Sequence, residues 1–293
     1  MDDKYKIAGF QLPHTDNKIN RILSSALEGR IGKQGDIKIS NQVDLIYWDA
    51  NFFGLDRVNF FQAASEEEQI GILQQCCEGI IKEAYFIEKA GVGYMAKMIS
   101  LAETTEERML YGCFCGDEAA HLSQICQFLP ESFLNNELAE IGNQFLKLLA
   151  EVAESCDKTV LLFILQVVLE GWGLTHYRSL AKSCQNPNLC AVFQGFLNDE
   201  SRHHATGITL LNRTQINSQS RIIIVEILVQ FLQMVQVGPQ SVLAAISNIK
   251  GGLSRQQSIL VLEELDTQTH SGTRLEMLRS LMQTEQSIGV IDE

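Results

Sequence analysis

The sequence predicts an all-α fold. The chain of 293 residues contains only four prolines, and it has few of the alternating Val, Ile and Thr runs that form strands. Hydrophobic residues make up 45% and charged residues 20% of the chain, which is the balance of an ordinary globular protein. This length is ample for burying a core. We therefore expect a single all-helical domain over residues 1–293.

Residues 1–64 form a predicted N-terminal helical extension. Asp16 to Arg30 has the apolar spacing of a helix, and Gly32 follows as a stop signal. The aromatic stretch from Val43 to Ala64 is predicted to be helical around Gly54. Such a segment is suited to cover one end of a helical bundle.

Four long helices are predicted within residues 65–212. A serine or threonine followed three residues later by glutamate caps a helix start, and a proline or an Asn-Pro turn ends a helix. Residues 130–157 are predicted to form a further helix that crosses between two helix pairs. The four predicted helices run from Ser65 to about Leu101, from Thr104 to Leu129, from Lys158 to about Ser183, and from the Gln185–Asn188 turn to about Asn212.

Residues 213–293 keep helical patterning, and no Pro/Gly/Ser-rich linker separates them from the preceding helices. We expect these helices to pack on the bundle. They are predicted over Arg221–Val235, Gln240–Ile249, Ser254–Leu265 and Gly272–Met282.

Charge and targeting signals narrow the classes of partner. The formal net charge is -13, which disfavours binding to nucleic acid or to an anionic membrane. Residues 1–4 do not begin a signal peptide, and the apolar runs Val160–Leu169 and Ile222–Val235 are too short to predict a membrane span. The eight cysteines include no CxxC pair. These observations predict a cytoplasmic protein with reduced thiols.

Glu170 is the first residue that points to chemistry. It is the only charged residue between Lys158 and Arg178, in a run apolar enough for the middle of a protein. An isolated buried carboxylate costs several kcal/mol unless it is paired, hydrogen-bonded or bound to a metal. Glu170 therefore requires a partner.

An internal repeat supplies candidate partners. Glu200 and His203 share a helix face, because they are three residues apart. The same pattern occurs 82 residues earlier, the separation of Glu88 from Glu170, and it continues without a gap. The repeated residues are Glu88, Glu118 and His121 in the first copy and Glu170, Glu200 and His203 in the second.

This pattern resembles the ligand set of the ferritin-like di-iron and di-manganese carboxylate proteins, which carry one Glu and a Glu-x-x-His motif twice in a four-helix bundle. The resemblance covers residues 65–212. It implies that Glu88, Glu118 and His121 bind one metal ion, that Glu170, Glu200 and His203 bind the other, and that Glu118 and Glu200 bridge the two ions. Iron in both positions is expected, with Mn/Fe or Mn/Mn as alternatives that share these ligand preferences.

The same resemblance implies roles for neighbouring polar residues. Asp199 to His203 has the DExRH form of the bacterial multicomponent monooxygenases, including Arg202. In those proteins and in ribonucleotide reductase small subunits, the aspartate of one motif holds the histidine of the other. Carried over, Asp199 would hold His121, and Asp117 would hold His203. We expect Asp117, Asp199 and Arg202 to support the ligands; a solvated helix position is the alternative for each aspartate.

Two further features leave alternatives open. His204 could add a ligand, as an extra histidine does in di-iron N-oxygenases, although the first copy has Leu122 at that position. Gly91 and Gly173 follow the upstream glutamates by one helical turn. They could provide space for oxygen, substrate or a moving carboxylate, or they could permit close helix packing.

The predicted function is a dioxygen-activating oxidase or oxygenase that acts on a small organic substrate by hydroxylation, N-oxygenation or desaturation. Dioxygen is the expected co-substrate, a reductase or ferredoxin the expected electron donor, and a homodimer the expected assembly. The apolar surroundings of the motifs suggest a lipophilic or aromatic substrate. The alternatives are a ferroxidase, peroxidase or iron-handling protein, and a metal-binding scaffold without activity.

Overall fold

The computed structural model describes residues 45–130, 133, 144–236, 239–265, 276 and 280. This part of the chain is helical and contains no strand, which confirms the all-α prediction. A 3-10 turn at Leu55–Arg57 precedes the first helix. The helices are α1 (Asn59–Gln62), α2 (Glu66–Leu101), α3 (Thr105–Cys126), α4 (Gln144–Ser155), α5 (Lys158–Leu161), α6 (Glu170–Ser183), α7 (Pro187–Leu211), α8 (Ser218–Gln236), α9 (Gln240–Ile249) and α10 (Arg255–Glu264).

The described residues divide into two compact units. Unit 1 contains those within Ile81–Leu161, and unit 2 contains those within Ile39–Ile80 and from Leu162 onward. Helix α2 therefore contributes to unit 2 up to Ile80 and to unit 1 from Ile81. The single domain and the ferritin-like arrangement of the four long helices stay predictions.

Capping hydrogen bonds fix the starts of the long helices where the sequence predicted them. Ser65 Oγ accepts from Glu68 N at 3.2 Å, and Glu68 Oε2 accepts from Ser65 N at 2.8 Å. Thr104 Oγ1 accepts from Glu107 N at 3.1 Å. The side chain of Asn186 caps α7 in the same way. Each cap satisfies backbone N–H groups that have no partner inside the helix.

The helix ends follow the internal repeat. Helix α2 ends at Leu101 and α6 ends at Ser183, which are 82 positions apart. The N-cap residues Thr104 and Asn186 have the same separation. The repeat found in the motif residues thus extends to the connection between the two helices of each copy. We call residues 66–126 the first repeat and residues 158–211 the second repeat.

The two repeats differ in how the helix before the upstream glutamate is wound. Between α5 and α6 the chain remains helical, but Leu162–Leu169 is π-helical; we call these residues the π segment. A π turn closes its hydrogen bonds over five residues, and such turns are frequent at functional sites. All but the last residue of the segment are buried. The sequence pattern predicts one helix from Lys158 to about Ser183 and does not reveal the π winding.

The continuous helix from Lys158 to Ser183 is longer than the apolar run on which the prediction about membrane spans rested. It has 26 residues and a window of mean hydropathy 1.4, so by length and composition it could cross a bilayer. The prediction counted Val160–Leu169 alone, whereas the helix continues through Glu170. Of that window, 56% is buried inside the protein. The core helix of a soluble protein has these same properties, so the finding is weak evidence for a membrane location.

The N-terminal aromatic stretch is less regular than predicted. Gly54 has φ 72°, a left-handed conformation that ends regular helix and favours glycine. The stretch therefore forms turns, the 3-10 turn and the short helix α1 instead of one helix. Trp48 is fully buried, and its Nε1 donates to the Leu180 carbonyl at 3.0 Å. Trp48 therefore packs in the interior of unit 2.

The C-terminal helices build a hydrophobic core in unit 2 with this N-terminal stretch. Leu55, Val58 and Phe61 pack with residues of α2, α9 and α10. Helix α3 ends at Cys126, three residues before the predicted end, and the chain turns there before Pro130. Three predicted helices lie wholly or largely outside the described residues: Asp16–Arg30, Gly272–Met282 and the first part of residues 130–157.

Candidate metal centre

The first candidate ligand group lies in unit 1. Glu88 comes from the middle of α2, and Glu118 and His121 come from one face of α3. One ligand atom from each residue lies within 4.8 Å of the others, and all three side chains are buried. His121 Nδ1 and Glu88 Oε2 are 3.1 Å apart. We call these residues the first triad.

The second candidate ligand group lies in unit 2. Glu170 is the first residue of α6, directly after the π segment, and Glu200 and His203 come from α7. Their ligand atoms also lie within 4.8 Å of one another. His203 Nδ1 is 3.5 Å from both Glu170 Oε2 and Glu200 Oε2. We call these residues the second triad.

The two triads share one contact, which is a hydrogen bond in the first triad and a longer ion-pair distance in the second. In each, the histidine presents Nδ1 to the Oε2 atom of the upstream glutamate, at 3.1 Å in the first triad and 3.5 Å in the second. In each, the Glu-x-x-His spacing puts the other carboxylate on the same helix face as the histidine. The structure thus brings together, within each unit, the three residues that the sequence grouped.

The electrostatics of each triad favour a bound cation. Two carboxylates within 4.8 Å of each other repel strongly when both are ionised in a dry interior. Glu88 is 1% exposed, so water contributes little to its solvation. One divalent cation neutralises the two carboxylates, and the set of oxygen and imidazole donors suits iron or manganese. The protein therefore contains buried Glu and His groups that could bind metal.

Gly91 provides space for a ligand carboxylate. A Cβ atom at this position would lie 2.3 Å from Glu118 Oε2 and 2.7 Å from Glu118 Cδ, both within unit 1. Such distances are far below van der Waals contact, so a side chain at position 91 would displace the carboxylate. Of the uses considered for this glycine, the structure supports room for a carboxylate of the site.

Gly173 does not have this role. Among the residues that the structure describes, no atom outside its own stretch of helix lies within 4 Å of a Cβ built there. Close helix packing therefore does not explain this glycine. Its position one turn after Glu170 leaves open space next to the second triad's helix.

The predicted supporting aspartates are both partly buried. Asp199 forms an ion pair with Arg202 on the same helix, so Arg202 acts on the aspartate of its own motif. Asp117 is partly buried on α3. The predicted pairs of Asp199 with His121 and of Asp117 with His203 stay predictions.

His204 faces a main-chain acceptor. Its Nδ1 lies 3.2 Å from the carbonyl oxygen of Gln166 in the π segment. Within the described part of the chain it belongs to neither ligand group. An additional metal contact from His204 stays a prediction.

Gln166 and Gly207 are residues of this region that the sequence analysis missed. Gln166 is fully buried, and its Nε2 donates to the carbonyl oxygen of His203 at 2.8 Å. A signal existed, since Gln166 is the only polar residue in Val160–Leu169. Gly207 lies in the interior of α7, where glycine is unfavourable by up to about 1 kcal/mol relative to alanine. A buried glutamine and a mid-helix glycine near a ligand motif both require an explanation.

No protein-family model, curated protein or solved structure matches this chain. The interpretation of the two triads therefore depends on their residues and geometry.

Proposed function

We propose that this protein is a ferritin-like dinuclear metal carboxylate enzyme of the oxidase or oxygenase type. In this proposal each triad would hold one iron ion through its two carboxylates and its imidazole. The substrate is a small organic molecule, and dioxygen is the co-substrate. Mn/Fe or Mn/Mn would occupy the same donors.

The observation that carries the proposal is the duplicated triad. One buried Glu-x-x-His motif has several ordinary explanations, including a simple ion pair. Two copies with equal spacing, equal helix ends and the same Nδ1 to Oε2 contact are unlike a chance pairing. Four glutamates also neutralise two divalent ions, so the charge of the donor set fits a dinuclear centre.

The chain's own residues would position and insulate the metals. A reduced di-iron pair supplies, when bound, the electrons that activate dioxygen. The carboxylates neutralise the ions, and the imidazoles add one nitrogen donor to each. Buried apolar residues one helical turn from the motifs, such as Phe196 and Ile125, would keep bulk water away. The donors of each triad would leave coordination positions for exogenous ligands.

Metal loading tests this proposal. The full chain is incubated with Fe(II) without oxygen, dialysed and analysed for metal, and then exposed to dioxygen while oxygen uptake is followed. We expect about two irons per chain, as in dinuclear carboxylate proteins. Glu170→Ala and Glu200→Ala should abolish loading of the second triad. Glu226→Ala is the matched control, because Glu226 is exposed on α8 and its loss should not change metal content.

The other outcomes identify the alternatives. Many irons per chain would indicate iron oxidation and storage. A chain that stays metal-free would favour a scaffold without activity. Normal metal content in both the Glu170 and the Glu200 variants would remove the site assignment. An electron donor, a homodimer and a cytoplasmic location remain part of the proposal.

A further inference from the structure

Gln166 connects the π segment to the helix that carries two ligands. A buried side-chain amide without hydrogen bonds costs about 1–3 kcal/mol. The amide of Gln166 avoids this cost by forming a hydrogen bond to α7. Its Nε2 donates to the His203 carbonyl oxygen at 2.8 Å. The main-chain carbonyl oxygen of Gln166 lies 3.2 Å from His204 Nδ1. One residue of the π segment thus contacts two consecutive residues of α7, and the first of them is in the second triad.

Gly207 makes this contact sterically possible. In a regular α-helix the His203 carbonyl accepts from the amide four residues later, which is that of Gly207. A Cβ at position 207 would lie 2.7 Å from Gln166 Cγ and 2.9 Å from Gln166 Cβ. The absence of a side chain therefore lets Gln166 reach the carbonyl of His203. We call the hydrogen bond from Gln166 Nε2 to His203 O, seated on Gly207, the α7 tether.

The tether acts on the geometry of the second triad. Gln166 precedes Glu170 by four residues on the same continuous helix, and His203 lies on α7. A hydrogen bond between these two elements limits how far α7 can rotate or slide relative to Glu170. The contact between His203 Nδ1 and Glu170 Oε2 at 3.5 Å depends on that alignment.

The first repeat has no such tether in its sequence. The counterparts of Gln166 and Gly207, 82 positions earlier, are Ala84 and Ile125, both buried. In the second repeat the large residue, Gln166, is on the first helix and the small one, Gly207, is on the second. In the first repeat the small residue, Ala84, is on the first helix and the large one, Ile125, is on the second. Packing a pair of this kind therefore does not require a glutamine, which points to a need specific to the second repeat.

We propose that Gln166 is a positioning residue for the second triad, acting through the main chain of His203 to keep the imidazole aligned with Glu170. The inference rests on the proposed function, because it assumes that the triad binds metal. Gln166 itself contacts neither substrate nor metal in this proposal.

Metal affinity tests the proposal in the full chain. Gln166→Met keeps the length of the side chain and removes the donor. Titration of the metal-free protein with Co(II), followed by optical absorption without oxygen, should show one binding step weakened about tenfold, at the low end for outer partners of metal-bound histidines. The other step should be unchanged. Gln194→Met makes the same chemical change on the exposed face of α7 and should match wild type.

A second apolar variant separates the tether from packing. Gln166→Leu fills most of the same volume without the hydrogen bond and leaves Gly207 unchanged. Its Tm should exceed that of Gln166→Ala, whereas the weakened Co(II) step should remain. Wild-type affinity in Gln166→Leu, or in Gln166→Met, would overturn the proposal.

Hydrogen exchange distinguishes failure of the inference from failure of the proposed function. If wild type binds no Co(II), the proposed function is wrong. The tether is then judged in the metal-free chain, where Gln166→Met should speed amide exchange around Gly207 relative to Gln194→Met. Equal exchange in the two variants would show that Gln166 does not hold α7.

Discussion

The two repeats carry equivalent ligand triads on different supports. In the first, Glu88 lies in a regular α-helix and is 1% exposed, whereas in the second, Glu170 follows a π segment and its side chain is 12% exposed. The Glu118 carboxylate occupies the space that a Cβ atom at position 91 would take. No described atom outside its own stretch of helix lies within 4 Å of a Cβ built at position 173. The comparison shows that the donors and their spacing are retained while the residues that hold them differ. At its upstream glutamate, the second triad is accordingly the more exposed.

Replacing His203 or His204 by leucine tests the largest expected difference between the repeats. His203→Leu should remove one metal ion per chain, because the second triad loses its imidazole. His204→Leu introduces the residue that the first repeat has at this position, Leu122, and should retain both ions. Metal analysis after anaerobic Fe(II) loading measures both variants. Loss of an ion in His204→Leu would identify His204 as a ligand.

The paired glycines provide the next largest effect. Gly91→Ala places a methyl group where Glu118 now lies, so we expect metal binding to weaken about tenfold or more. Gly173→Ala meets no described atom and should instead raise the Tm by roughly 1–3 °C, since alanine favours helix. Co(II) titration and thermal unfolding measure the two quantities. Equal affinities in the two variants would contradict the role assigned to Gly91.

The caps of α3 and α7 predict a smaller, pH-dependent difference. Burial alone would raise the pKa of Glu107, but hydrogen bonds from Lys158 and from the backbone of Glu103 and Thr104 outweigh it, so the pKa lies below its ordinary value. A lowered pKa stabilises the fold above the ordinary glutamate pKa, and this stabilisation is lost as the pH falls through the folded-state value. The second repeat has Leu189 at this position, so its cap has no such dependence.

Denaturation at several pH values checks this prediction. Glu107→Gln should lower the free energy of unfolding by about 1 kcal/mol near neutral pH, and the difference from wild type should shrink on acidification. The control is Glu106→Gln, because Glu106 directly precedes Glu107 and is exposed. Leu189 is unsuited as a control because it is buried. A pH-independent difference for Glu107→Gln would exclude the ion pair with Lys158 as its cause.

Much of the fold and all six triad residues could be predicted because their signals are local or repeated. Ser65, Thr104 and their glutamates specify helix starts through hydrogen bonds within four residues. Glu170 stood out because a charge in an apolar run needs compensation, and the 82-residue repeat then identified the other donors.

The supports could not be predicted in the same way. The π segment consists almost wholly of ordinary helix-compatible apolar residues, and no local pattern in them records its winding. The occupant of the space at Gly91 also depends on a residue 27 positions away. For Gln166 the sequence shows a buried polar group but not which carbonyl it contacts. The left-handed conformation of Gly54 could be suspected but not predicted from the sequence, since glycine permits such a turn without requiring it.

The long apolar helix from Lys158 to Ser183 has a consequence for synthesis on the ribosome. Helix α7 packs against this helix and is translated after it. The nascent chain therefore exposes an apolar segment of bilayer-spanning length until Leu211 has emerged. During that interval the segment offers a surface that chaperones or membrane-targeting factors recognise in other polypeptides. Fragments that stop before Pro187 retain this exposed stretch permanently, and aggregation of such fragments would therefore say little about the solubility of the whole chain.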